Sequence, residues 1–164
     1  DAAKQVGFIY AAKLVRGAYM EKEANHAKDF SQENPIQKSK QNTDNDYNEA
    51  LKFAIANIDN VAICVATHNE DSTLLATQLM QQKNLPKNHA HIHFSQLLGM
   101  SDHVSFNLAA NGYNASKYMP YGPVKDVIPY LIRRAQENTS VAGQMGRELK
   151  LLKDEVRRRR LFVL

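Results

Sequence analysis

Short runs of apolar, β-prone residues alternate along the chain with stretches whose apolar residues recur every three or four positions, the layout of parallel βα units. Four strands are predicted: Phe8 to Val15, Val61 to Ala66, Ile92 to Leu97, and a short one from Ala115 to Met119 that Pro120 stops. The second is an unbroken apolar run, which predicts burial on both faces. Tyr47 to Ile58 carries Leu51, Ile55 and Ile58, and Ser72 to Gln82 opens on a capping serine and carries Leu74, Leu75 and Met80; both predict amphipathic helices lying on a sheet. Two more helices are predicted over Val124 to Asn138 and Ala142 to Arg160. The polar segment from Lys22 to Asp46, with Asn34-Pro35 inside it, predicts a functional loop, being too long for an idle connection.

Each predicted strand runs into polar or glycine-containing residues: Arg16-Gly17-Ala18-Tyr19, Thr67-His68-Asn69, Gly99-Met100-Ser101, and Tyr118 with Pro120. In α/β barrels and open α/β sheets, ligands sit at the carboxyl ends of strands, so these clusters are expected to converge on one mouth. Four units are half of a (β/α)8 barrel of about 250 residues, which predicts an α/β half barrel with open sheet edges. No composition break divides the chain, so residues 1–164 read as one domain or part of one.

Composition narrows the chemistry. Cys64 is the only cysteine and sits in an apolar run, so it reads as a small buried hydrophobe, and disulfide frameworks and cysteine metal clusters are excluded. No apolar stretch reaches the roughly 18 residues needed to span a bilayer, and residues 1–4 lack a signal layout. The net charge of +4 equals the tract Arg157 to Arg160, so the body of the chain is neutral. That tract, followed by Leu161, Phe162, Val163 and Leu164, reads either as a solvated helix end that complements the helix dipole or as a contact for anionic lipid or nucleic acid. No aromatic interleaving supports base stacking.

Three constellations carry candidate chemistry. On a helix, Tyr130, Arg133, Arg134 and Glu137 share one face, where two guanidinium forks beside a phenol suit a small carboxylate; the bland alternative is an exposed helix with an Arg133–Glu137 pair. Lys13 to Tyr19 places Lys13 and Arg16 at a strand end, with Gly17 permitting close backbone approach, and a cation there would stabilise negative charge developing on a redox cofactor. The alternative is a strand ending in solvated charge. His89, His91 and His93 alternate, so a strand would put all three on one face, a pattern that could hold zinc in a metal-dependent hydrolase; they precede the strand's carboxyl end and bring no nearby carboxylate, which favours a structural role.

Lys-Leu-Val-Arg-Gly-Ala-Tyr at 13–19, Ala-Thr-His-Asn at 66–69, Gln-Leu-Leu-Gly-Met at 96–100, Lys-Tyr-Met-Pro-Tyr-Gly-Pro at 117–123 and Tyr-Leu-Ile-Arg-Arg-Ala-Gln-Glu-Asn at 130–138 together resemble proline dehydrogenase, in order and spacing, from about Ala11 to Ser140. The version here is closer to the monofunctional, mitochondrial type than to the bifunctional proline utilisation flavoenzymes. The resemblance implies a distorted (β/α)8 barrel that holds FAD and oxidises L-proline to Δ1-pyrroline-5-carboxylate. Electrons would pass to a membrane quinone and the product to pyrroline-5-carboxylate dehydrogenase, at the mitochondrial inner membrane or, in a bacterium, in the cytoplasm at the inner membrane's edge. No nucleic-acid partner is implied.

Carried over by residue, Arg133 and Arg134 clamp the proline carboxylate, while Leu97, Tyr118 and Tyr130 wall its ring. Arg16, Gly17, Ala18, Thr67, His68, Asn69, Arg134, Glu137 and Ser140 match FAD contacts, and Ser39 and Lys40 match a stretch that reaches the phosphates or ribose. Lys13 stands where many relatives carry arginine near flavin N5, keeping the charge but not the fork. The family's lysine, aspartate and glutamine from early strands would fall before residue 1. The expectation is therefore a carboxyl-terminal half with little or no proline oxidation of its own, its open edges covered by the missing half or another copy. The rival readings are the metal-dependent hydrolase and a non-enzymatic half barrel with a basic tail.

Overall fold

The computed structural model describes residues 2–17, 19–140 and 142–159, except the side chains of Arg133 and residues 135–148. It contains two compact units, Asp1–Tyr118 and Met119–Leu164.

The first unit is a four-stranded, wholly parallel sheet in the order β1 (Tyr10–Leu14), β2 (Val61–Ala66), β3 (Ile92–Leu97), β4 (Ala115–Tyr118). Its helices are α1 (Ala2–Val6), α2 (Met20–Asp29), α3 (Lys40–Ala56), α4 (Glu70–Gln82) and α5 (Asp102–Ala110). Leu51, Ile55 and Ile58 from α3 and the turn after it, Ala76 and Met80 from α4, and Val104 and Leu108 from α5 bury one sheet face carrying Ile63, Val65, Ile92 and Phe94. Burying each such large apolar side chain contributes about 1.5 to 3 kcal/mol, so this layer fixes the sheet.

Local chemistry sets the helix ends. The Asn42 amide donates to Ser39 Oγ at 3.1 Å, and the Ser72 amide donates to Asn69 Oδ1 at 2.9 Å, so α3 and α4 both start on side-chain caps. At the far end of α3, Lys83 Nζ donates to the carbonyls of Ile55 and Ala56 at 3.1 and 2.8 Å, placing a cation on the negative helix terminus.

Several expectations need correction. The first strand is Tyr10–Leu14, not Phe8 to Val15: β2 starts only at Val61, after a turn, so Phe8 and Ile9 have no partner strand. The fourth strand ends at Tyr118 rather than Met119. β2 is buried on one face only, and Cys64, on the other, is half-buried rather than a core hydrophobe. The supposed loop from Lys22 to Asp46 holds most of α2 and the start of α3, which begins at Lys40 and ends at Ala56 rather than running from Tyr47 to Ile58. Asn69, not Ser72, caps α4. Helix α5 lacked a sequence-based expectation.

The second unit consists of α6 (Val124–Ser140) and α7 (Ala142–Arg158), each within two residues of its predicted bounds. Pro129 lies inside α6 and removes one amide from its ladder. Near the end of α7, Arg157 pairs with Asp154 at 3.6 Å, and Arg158 and Arg159 both reach Glu155 at 2.6 Å. Those two arginines hold the exposed Glu155 carboxyl down to about 2. Much of the basic tract is thus balanced locally; Arg160 to Leu164 lie outside the described residues. No helix among the described residues is long and apolar enough to cross a membrane.

Candidate functional site

Strand alternation puts Lys13, Cys64, Ala66, Ser95, Leu97 and Tyr118 on the sheet face opposite the helices. Lys13 pairs in register with Cys64, Cys64 with His93, Ala66 with Ser95, and Leu97 with Tyr118, so small Cys64, Ala66 and Ser95 lie among the longer Lys13, His93, Leu97 and Tyr118. Lys13 Nζ lies 4.6 Å from the centroid of the Tyr118 ring. β1 and β4 are separated by two strands, so these side chains lean toward each other across the open face. Burial pushes the Cys64 thiol up, and the Lys13 charge pulls against it.

At the carboxyl end of β1, Arg16 is the hub of a polar cluster. Its Nη1 donates to Thr67 Oγ1 at 2.6 Å, its Nη2 donates to Ser72 Oγ at 2.6 Å, and its Nε lies 2.9 Å from Asp44 Oδ1. The guanidinium carbon stacks 3.7 Å from the centroid of the Tyr47 ring. The Ser72 hydroxyl passes the network on to Asn48 Oδ1 at 2.6 Å, and Tyr47 Oη donates to the Leu14 carbonyl at 3.3 Å. Burial lowers the Arg16 pKa, with Asp44 and Tyr47 opposing it. Burial likewise raises the Tyr47 phenol well above its usual range, with Arg16 opposing. Gly17 follows at φ +67°, a backbone region that favours glycine.

The ends of β2 and β3 continue the cluster. Gln96 is fully buried; its Nε2 donates to the Thr67 carbonyl at 3.2 Å, and Ser105 Oγ donates to its Oε1 at 2.8 Å. His68 Nδ1 and Ser101 Oγ lie 2.9 Å apart, and Ser101 is buried at φ +50° just before α5. Two pairs tie adjacent elements at the same end: Glu70 with His103 at 3.0 Å, and Asp102 with Lys117 at 2.6 Å.

The expected convergence of strand ends therefore occurs within the first unit. Arg16 touches Thr67, Lys13 meets Tyr118, and Lys40 reaches Arg16 through Asp44, whose Oδ2 lies 2.5 Å from Lys40 Nζ. Ser39 and Asn69 are helix caps, which gives both a structural task. In the second unit, the Arg134 guanidinium lies 5.5 Å from the Tyr130 ring centroid, one turn away on α6. The side chains of Arg133, Glu137 and Ser140, and all of Ala18, lie outside the described residues.

The histidine expectation is corrected. β3 starts at Ile92, so His89 and His91 precede it, and the three do not line a strand face. His91 Nδ1 bonds the Ile58 carbonyl at 2.8 Å and His93 Nε2 the Ala90 carbonyl at 3.1 Å. Among the described residues, no group of three His, Cys, Asp or Glu could hold a metal.

Sequence reasoning missed Asp44, Tyr47 and Asn48 as site residues, along with Ser72, Gln96 and Ser105. With Lys40, the first three fall at i, i+4, i+7 and i+8, a polar helical face visible once α3 is started at its Ser39 cap.

Residues 1–147 match the family described as Proline dehydrogenase. The chain is 40% identical to proline dehydrogenase 1, mitochondrial, of Drosophila melanogaster, aligning over 97% of this chain and 25% of that protein. It is 42% identical to hydroxyproline dehydrogenase of Bos taurus, over 98% of this chain and 36% of that protein. It thus spans between a quarter and a little over a third of these relatives. Its fold resembles crystalline proline utilization A from Bdellovibrio bacteriovorus inactivated by N-propargylglycine, with TM-score 0.75 and 28% identity, over 84% of this chain and 14% of that one. The half sheet is accordingly of the barrel type seen in such proteins.

Proposed function

We propose, for a chain that belongs to the proline dehydrogenase family, that the carboxyl ends of its strands hold FAD in a protein that oxidises L-proline to Δ1-pyrroline-5-carboxylate. The observation that carries this reading is the cluster around Arg16: residues just past the ends of β1 and β2 and on α3 and α4, far apart in sequence, are joined into one ordered rim beside an open sheet face. The fit to a flavin is chemical. Cys64, Ala66 and Ser95 give a low stretch for a flat ring system next to His93, which is tied back to the Ala90 carbonyl; Lys13 supplies a cation at its margin, and Thr67, His68 and Asn69 bring polar groups to the rim.

FAD, when bound, supplies the two-electron acceptor for hydride from the proline ring carbon next to nitrogen. In this reading Lys13 stabilises negative charge at the margin of the open face, and Arg16, Gly17, Ala18, Thr67, His68, Asn69, Ser39 and Lys40 hold the cofactor. Leu97, Tyr118 and Tyr130 exclude water from the substrate ring. Arg133 and Arg134 bind its carboxylate through paired donors, and Arg134, Glu137 and Ser140 add cofactor contacts. A membrane quinone re-oxidises the cofactor at the mitochondrial inner membrane, or at the inner membrane in a bacterium, and pyrroline-5-carboxylate dehydrogenase takes the product. Four strands are half of a closed eight-stranded barrel, so we expect the 164-residue chain alone to turn over little or no proline until the rest of a barrel, or another copy, covers its edges.

Cys64 provides the test, because it is the only thiol and lies on the open face in register with Lys13. Titrated FAD should quench on binding this chain and slow Cys64 alkylation at least fivefold. Dye reduction with proline and with hydroxyproline, measured in parallel, should stay at background. Unchanged alkylation and unquenched FAD would reject the flavin site, and robust turnover would reject the half-barrel part of the reading.

A further inference from the structure

Asp44, on the second turn of α3, meets cations from two elements: Arg16 Nε at its Oδ1, 2.9 Å away, and Lys40 Nζ at its Oδ2, 2.5 Å away. The two pairs are unequal. The Arg16 and Asp44 side chains are 17% and 16% exposed, whereas that of Lys40 is 82% exposed, so water screens the lysine and the shielded partnership is with Arg16. Arg16 has five N–H groups. Hydrogen bonds to Thr67 and Ser72 engage one N–H on each Nη, the Asp44 carboxylate stands against Nε as an ion pair at 2.9 Å, and Tyr47 covers the guanidinium plane. A fork hydrogen-bonded at both Nη atoms, ion-paired beside Nε and covered on one face has a fixed direction, and the second N–H of each Nη shares it.

We infer that Asp44 is a positioning residue of the cofactor site, acting through Arg16: it sets the guanidinium so that the two remaining donors are already aimed before a ligand arrives. This rests on the FAD reading above. Neutral asparagine keeps the shape of the contact but not the charge that holds an arginine against the pull of water, so the fork acquires other orientations. A ligand then binds only the fraction correctly oriented, and apparent affinity falls by that fraction. A merely structural Asp44 would lower the melting temperature and leave affinity intact below the melt.

The experiment measures FAD affinity by fluorescence quenching and by protection of Cys64, well below each variant's melting temperature. Asp44→Asn should weaken FAD about tenfold and Asp44→Glu, which keeps the charge, should stay within about threefold of the parent. In an Arg16→Met background, Asp44→Asn should add nothing further. Affinity within twofold of the parent for Asp44→Asn, or losses that add across the pair, would overturn the inference. If Asp44→Asn does not fold, Ser72→Ala removes another support of the same fork without a charge change; about threefold weaker binding is expected, and unchanged binding overturns the inference equally. A parent chain that neither quenches FAD nor protects Cys64 fails at the flavin reading itself, a result distinct from a parent that binds and variants that bind as well.

Discussion

Replacing Gln96 with leucine isolates what the buried polar network contributes to the fold. Gln96 is 2% exposed and holds two groups from different elements, the Thr67 carbonyl at the end of β2 and the Ser105 hydroxyl on α5. Leucine leaves the carbonyl without this donor, a loss of about 1 to 3 kcal/mol for a buried group. The hydroxyl loses less, because Ser105 Oγ also lies 3.3 Å from the Ser101 carbonyl and can turn to it. The added apolar contact returns part of the loss, so a net destabilisation of about 2 kcal/mol is expected, or about 4 to 8 °C in melting temperature for a chain of this size. Urea unfolding followed by circular dichroism measures it. Adding Ser105→Ala should cost less than in the parent, since its hydroxyl has already lost its partner. A Gln96→Leu chain as stable as the parent would show that Gln96 fills space and bonds nothing of consequence.

Two other consequences are direct. Ser39→Ala removes the cap of α3 and should cost about 1 kcal/mol, whereas Ser39→Asp should be close to neutral; equal melting of Ser39→Ala and parent would mean the cap bond contributes nothing. Tyr47 is the alkaline weak point. Its folded pKa is raised, chiefly by burial, so the folded chain keeps its proton longer than the unfolded one; the stability it contributes is complete below about pH 10 and is lost as pH rises beyond that. Tyr47→Phe should flatten this alkaline limb, in unfolding curves at pH 8, 10 and 11, and a limb of unchanged steepness would refute the assignment.

How far the sequence could be read follows from what each element buries. β2 and β3 were legible to the residue because the apolar run of β2 and the alternating Ile92 and Phe94 of β3 pack under helices, and both strands run into polar or glycine-containing residues. β1 was overextended because Phe8, Ile9 and Val15 are apolar without being covered, and pairing rather than composition ends the strand. The first half of α3 was hidden because Lys40 to Asp46 carries no apolar stripe. That half is anchored by its Ser39 cap and by Asp44 bonding back to Arg16, and a contact between residues 28 positions apart leaves no periodic trace. The candidate site shows the same division. The strand-end motifs pointed to Arg16, Thr67, His68 and Ser101, while the partners Asp44, Ser72 and Gln96 become visible only when the elements meet.

The distribution of buried polar groups explains why that meeting point is the place to look for a ligand. Among the described residues, the buried polar side chains are Thr67, Ser72, Thr73, Ser95, Gln96, Ser101 and Ser105. All belong to the carboxyl-terminal parts of β2 and β3 or to the turns and first helical turns that follow them. Burial of such groups is unfavourable unless each is bonded, so a fold selected for stability alone has no reason to gather them at one end of an apolar sheet. Here Thr67 and Ser72 are bonded to Arg16, Gln96 to the Thr67 carbonyl and Ser105, Ser101 to His68 and Thr73 to the Asn69 carbonyl, which makes that end stiff as well as polar. A stiff polar rim beside the small side chains of an open face suits a ligand that must be held in one orientation, because the ordering is complete before the ligand arrives and does not subtract from its affinity.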